Sequence, residues 1–304
     1  MTKHAVRMSI AFVALTANPV LAADLLLKAP APEAPAPIPG WGGFYVGGNV
    51  GYSRAKDDLT VPAFTVNGVS IPAATFAGLK PNGAIGGAQA GYNWQSAYWV
   101  YGLETDLQWS GEKDSITDTG NKVTSTSCFG DTSLKGCSLS GTGAATLGSK
   151  IDWFGTLRGR IGIATDFFFW YAAGGLAYGQ VKYSGAASFN GMLTDTGPCT
   201  NPCATAGSAA FADSTITVGW TLGTGVEAFI PFGANWTWRA EYLFVDLGRI
   251  SPTTAYNSSV SIPSLSHTQT LSPTLTHTAV VMDQVLRFGV NYRFGGEAPL
   301  VTKD

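Results

Sequence analysis

What this 304-residue sequence has little of narrows its class. Charged residues make up only 12% of it, about half the usual share. The net charge is −2, so neither a nucleic-acid partner nor a polybasic membrane tether is indicated. Long apolar runs are also missing. Beyond the N-terminus nothing approaches the ~18 residues a spanning helix needs, and the nearest stretch, 167–181, is short and broken by glycine. Low charge with high hydrophobicity points to a membrane. Without spanning helices the remaining solution is a closed β-barrel, because only those two structures satisfy every backbone group in lipid.

What is present fits that reading. Lys3, His4 and Arg7 precede an apolar core, Met8 to Leu15, and the small-residue end Val20-Leu21-Ala22. This is the pattern of a secretory signal peptide over 1–22. Residues 23–40 form a Pro/Ala-rich stretch without a core of its own, read as an extended periplasmic linker. The barrel is expected over 41–294 and a periplasmic tail over 295–304. The four cysteines, Cys128, Cys137, Cys199 and Cys203, lie in polar segments. Export to an oxidising compartment makes them disulfide candidates, with three connectivities open.

From Trp41 onward, eight stretches alternate apolar with polar or small residues, the two-residue period of a strand. They lie near 42–54, 83–95, 98–110, 150–164, 167–182, 214–229, 235–248 and 280–294. The connections are alternately very short (96–97, 165–166, 230–234) and long (55–82, 111–149, 183–213, 249–279). This predicts an all-β fold, an eight-stranded antiparallel transmembrane barrel with periplasmic termini and long extracellular loops. One face of the strands carries Phe44, Val50, Leu103, Trp109, Ile151, Trp153, Phe169, Tyr171, Trp220 and Phe288 and is assigned to lipid. The other carries Gln89, Asn93, Gln180, Lys182 and the charged set Glu104, Asp106, Asp152, Arg158, Arg160, Glu227, Arg239, Glu241, Arg287 and Arg293. That set is assigned to a lumen ion network. Eight strands leave an interior that side chains roughly fill, so a structural plug is expected and a narrow porin-like channel is the rival.

The segments WGGFYVGGNVGY, IGGAQAGYNWQ, VYGLETDLQ, KIDWFGTLRGRIG, WYAAGGLAYGQV, VGWTLGTGVE, WTWRAEYLFVDLG and VLRFGVNYRF occur in this order. Together they resemble the RopB/opacity-type family of alphaproteobacterial outer-membrane proteins, over nearly the whole mature chain. The resemblance implies an eight-stranded barrel in the Gram-negative outer membrane, surface-exposed loops, and a part in envelope integrity and host contact. It also implies partners: outer-membrane lipid and lipopolysaccharide, the barrel-assembly machinery, and a host surface. Tyr292 and Phe294 are similar to the terminal signal read by that machinery, although GGEAPLVTKD follows them here. Such proteins are often labelled porins or surface antigens, and the family has no common catalytic residues to carry over; no cofactor or metal is expected for this chain. His267 and His277, in a Ser/Thr-rich segment, form no nucleophile–base pattern. A surface adhesin or ligand receptor acting through the long loops is the alternative function.

Overall fold

A computed structural model describes residues 40–61, 64–66, 69–71, 74–126, 135–231, 235–251, 253–255, 257–271, 274–276 and 278–294. The expected signal peptide, the linker as far as residue 39 and the C-terminal tail lie outside them. Eight strands make the framework: β1 (Gly43–Val61), β2 (Asn82–Ser96), β3 (Trp99–Ser110), β4 (Ser138–Ala164), β5 (Phe168–Thr194), β6 (Cys203–Phe229), β7 (Trp236–Ile250) and β8 (Thr278–Phe294). Each pairs antiparallel with its sequence neighbours. The ring closes through β1 and β8, from Phe44↔Phe294 to Thr60↔Thr278.

β3 shows why these residues form a wall. Its odd positions from Trp99 to Trp109 are exposed and its even positions from Val100 to Gln108 are buried. A period of two is what a strand with two different faces requires. The exposed face of the ring carries Phe44, Val50, Tyr101, Leu103, Leu157, Ile161, Trp170, Leu176, Trp220, Leu222, Leu286 and Phe288. Apolar side chains outside and polar ones within invert a soluble barrel and match a lipid-facing one. Among the described residues no helix is long and apolar enough to cross a membrane.

The two ends of the ring differ. At one end the turns are tight, and Ala97 adopts a left-handed φ of 51° between β2 and β3. At the other end β4, β5 and β6 run on for 27 residues each, where a tilted membrane strand needs about 9–11. Their outer halves remain paired, from Ser138↔Thr194 and Cys203↔Leu193 inward. The strand Lys113–Ser125 flanks β4 on one side, and Asn257–Ile262 flanks β6 on the other. Segments 111–149 and 183–213, expected as loops, are therefore largely strand. They alternate Ser, Thr, Ala and Gly without an apolar face, so the period-two signal was absent there.

Two assignments of face need correction. In β4 the register shifts between Ile151 and Trp153, a bulge that reverses the parity of the residues beyond it. Ile151, expected on the lipid face, is fully buried. Asp152, expected in the lumen network, stands outside it and pairs with Lys150 and Lys182. In β5 the whole parity is opposite to expectation. Phe169 and Tyr171 point inward, 0% and 3% exposed, whereas Phe168, Trp170 and Leu176 are exposed. Lys182 accordingly lies on the outer face, and Gln180, on the same face, donates to Ser214 at 3.0 Å. The aromatic run 167–171 has no alternation to read, and the expected phase is the one that turns Gln180 and Lys182 inward. Those residues lie beyond the apolar belt, where an outward polar side chain costs nothing.

Candidate functional site: an ionic lumen

Four carboxylates and four arginines meet in the middle of the barrel, and all eight are buried. The register sets opposite charges directly across from one another: Glu104↔Arg158, Glu227↔Arg239 and Glu241↔Arg287. Longer contacts then tie opposite walls. Arg239 on β7 reaches Glu104 on β3, four strands away, at 2.5 and 2.9 Å. Arg158 on β4 bonds Glu104 and also reaches Glu241 on β7 at 2.9 Å. Arg287 bridges Glu241 at 2.6 Å and Asp106 at 2.9 Å. Arg160 lies 3.3 Å from Glu227 and 3.4 Å from Glu104. The set is charge-neutral, and each carboxylate shares more than one donor. Buried charges persist only under such pairing.

Neutral groups complete the layer. The Tyr45 hydroxyl donates to Glu104 at 2.6 Å, and the Thr156 hydroxyl to Asp106 at 2.8 Å. β1, β2 and β8 contribute an amide ladder: Asn49 bonds Gln89, Gln89 donates to Asn291 at 2.8 Å, and Asn291 donates to Glu227 at 2.9 Å. Two glycines make room for the lumen tyrosines. A Cβ on Gly91 would stand 2.2 Å from the Tyr45 hydroxyl, and one on Gly225 2.6 Å from that of Tyr171.

Apolar layers cover the ions on both sides. At the tight-turn end Trp41, fully buried, packs with Phe169 and Phe229 at ring distances of 5.6 and 4.5 Å. Its indole N–H donates to the Thr165 carbonyl at 3.2 Å. Arg293, expected in the ion network, instead lies over Trp41 at 5.4 Å and donates to the Gly40 and Gly42 carbonyls. At the other end Phe154, Val181, Leu243, Val245, Val281 and Val285 form a second apolar cluster with Ile151. Trp41 and Tyr45 are lumen residues that sequence reasoning missed, because polarity is what marks the inner face and both are aromatic. Both are aromatics pointing inward, and only the burial of the opposite parity separates them from Phe44.

Beside that second cluster sits an acidic pair that sequence reasoning also missed. The Ser53 hydroxyl donates to Asp283 at 2.5 Å, and the Ser110 hydroxyl to Glu112 at 2.8 Å. Burial, then the charge of Asp283, pushes the Glu112 carboxyl up to about 8. Burial raises Asp283 to about 6 against the pull of Ser53 and two backbone N–H groups. Both folded-state values lie above the unfolded ones, so this stabilising contribution is complete below the unfolded pKa of about 4. It is lost as pH rises through 6 and then 8. Wild-type protein should thus lose more stability than Glu112→Gln between pH 4.5 and 8.5. Urea unfolding in lipid vesicles at both pH values measures this, and equal losses in the two proteins would refute it.

Cys137, Cys199 and Cys203 cluster at the far tip of the long strands. Cys199 and Cys203 are bonded to each other. Cys137 is also disulfide-bonded, while Cys128 lies outside the described residues. Cys137, Cys199 and Cys203 pack with Leu139, Leu193 and Ile262 in a small core. His267 begins a short strand, His267–Leu271, and His277 lies outside the described residues. No group of three or more metal-binding side chains occurs among the described residues.

A closed antiparallel ring with an apolar exterior and a paired ionic interior defines a transmembrane β-barrel of the outer-membrane class. The chain belongs to the outer membrane protein beta-barrel domain family, whose model matches residues 12–294. It is similar to the 31 kDa outer-membrane immunogenic protein of Brucella melitensis, 32% identical over 285 residues, covering 92% of this chain and 96% of that one. It is also similar to the 22 kDa outer membrane protein of Rhizobium leguminosarum, 28% identical over 218 residues, covering 71% and 69%. Among solved structures it resembles the outer membrane protein OprG from Pseudomonas aeruginosa, with a TM-score of 0.36 at 13% identity, covering 83% of this chain and 97% of that one. Ail of Yersinia pestis gives a TM-score of 0.29 at 9% identity, covering 82% and 99%. The protein resides in the bacterial outer membrane.

Proposed function

We propose that this barrel is a structural component of the outer membrane that seals rather than conducts, and that its work is envelope integrity. The observation that carries the reading is the layering of the lumen: a neutral ion layer, in which each charge has an opposite partner, between an aromatic stopper at Trp41 and an aliphatic layer around Leu243 and Val285. A solute would have to break several buried ion pairs and displace both apolar layers. The tight turns and both chain ends are assigned to the periplasm, and the long strands to the cell exterior. Lipopolysaccharide and outer-membrane lipid surround the belt, and the assembly machinery reads Tyr292 and Phe294. The reading is non-catalytic. Folded monomer in planar bilayers should give no steady ohmic current, whereas large stable pores would overturn the sealed lumen. A deletion strain should become detergent-sensitive. An epitope placed between residues 126 and 135 should be reactive on intact cells, and reactivity only after lysis would reverse the orientation.

A second reading rests on the tip. The paired outer halves of β4, β5 and β6 present a sheet rather than mobile loops, and relatives are named immunogenic. Such a surface suits contact with a host. Loss of host-cell binding on shortening residues 138–149 and 183–213 together, with the barrel still folded, would support it.

A further inference from the structure

Just beyond the apolar belt, one hydrogen-bonded row runs round more than half the barrel: Gln284–Arg54–Asn82–Lys113–Lys150–Lys182–Ser214. Four of its seven members are cations and none is a carboxylate. Arg54, Lys113, Lys150 and Lys182 are all exposed. Beneath them on the same outer face lie Tyr52 and Trp109, 53% and 62% exposed, and the Trp153–Tyr178 pair at 6.2 Å. The aromatics are two to four residues from the row, roughly 7–13 Å along the strands. An aromatic girdle marks the membrane–water interface, so the row stands at headgroup height and faces the bilayer.

The local electrostatics are unfavourable for the protein alone. Lys113, Lys150 and Lys182 lie directly opposite one another on successive strands, and like charges so placed destabilise a sheet. Asp152, the bulged residue, contacts Lys150 at 2.6 Å and also Lys182, which lowers its own pKa. That one carboxylate serves two of the four cations. Nearby Asp114 and Asp213 accept backbone N–H groups of Lys80, Ser115 and Ser214. Among the described residues no carboxylate lies within ion-pair distance of Arg54 or Lys113.

We infer that this row is a docking surface for the phosphate groups of a glycolipid in the outer leaflet. Neighbouring strands are about 4.8 Å apart, so Arg54 to Lys182 spans roughly 19 Å, wide enough for more than one phosphate. The cations face outward at the girdle, not into the lumen, so the anion must arrive from the bilayer surface. The inference rests on the orientation proposed above.

The test uses the whole mature chain folded in detergent micelles, with native mass spectrometry reading retained lipid. The probes are bisphosphoryl lipid A and the same lipid without phosphates. Lys113→Gln, Lys150→Gln and Lys182→Gln combined should weaken retention of the phosphorylated lipid by at least about tenfold, since charge-assisted bonds are the ones removed. Lys122→Gln, about 27 Å further out along the same sheet, should change nothing. Asp152→Asn, which frees two ammonium groups, should tighten binding, a gain that misfolding cannot imitate. Equal retention by wild type and triple variant, or equal binding of dephosphorylated lipid A by wild type, would overturn the inference. Complete displacement of the lipid by inorganic phosphate would also overturn it, by making this a free-anion site. A sealed barrel that ignores lipid A fails here alone, and a conducting barrel that binds it fails only the reading above.

Discussion

Glu104→Ala should be the most damaging single substitution in the lumen, costing about 3–5 kcal/mol. Glu104 accepts from Arg158, Arg239, Arg160 and Tyr45. Its removal leaves the neutral layer with an excess positive charge that no water reaches easily, because apolar layers close both sides. The loss is larger than the worth of any one pair, since breaking a buried pair leaves the partner charge uncompensated. Pairing it with Arg239→Ala should recover part of the loss by restoring neutrality, a non-additivity expected of contacting groups. Urea titration in lipid vesicles, followed by the electrophoretic shift between folded and unfolded barrel, measures both. A single-variant loss below about 1 kcal/mol, the scale of a surface ion pair, would mean that the lumen is hydrated and the ions screened.

Much of this was legible in the sequence, and the reasons for the rest are local. The eight strands were found to within a few residues at the tight-turn end, because there an apolar face against lipid alternates with a polar one. Glu104, Asp106, Arg158, Arg160, Glu227, Arg239, Glu241 and Arg287 converge because charge in a lipid-facing wall can only point inward. Beyond the belt that constraint disappears. Water tolerates either face, so the paired Ser/Thr/Ala strands of 138–149, 183–194 and 203–213 carried no period to read. Asp152 went to the wrong side for a different reason. A bulge shifts parity by one residue, and no residue type near Ile151 announces one. Trp41, Tyr45 and Phe169 show a third limit. Aromatics serve both as lumen stoppers and as lipid girdle, so in β5, which opens on four consecutive aromatics, side-chain chemistry does not choose a face. Glu112 lies where the strands leave the membrane, in the expected loop 111–149, and there a carboxylate reads as an ordinary loop charge.

The boundary between those regimes can be located with one series of arginines on the outer face. Leu103 is 55% exposed and sits midway along β3 between Trp99 and Trp109. Leu103→Arg should cost about 2–4 kcal/mol in a bilayer, the charge of an arginine at the midplane. Tyr52→Arg, beside the row that contains Arg54, should cost only about 0–1 kcal/mol. Ala186→Arg, exposed on the outer half of β5, should fall within about ±0.5 kcal/mol of wild type. The three positions share the outward parity and differ chiefly in height, so the slope of cost against height, corrected by the Ala variant at Leu103 and Tyr52, measures where hydrocarbon ends. Folding free energy in vesicles of one lipid, from urea titration, gives each value. If Ala186→Arg cost as much as Leu103→Arg, the belt would extend past the cation row, and Lys113, Lys150 and Lys182 would lie in hydrocarbon. A steep fall between Leu103 and Tyr52 sets the row at the headgroups, where four cations with one shared carboxylate have a reason to face outward.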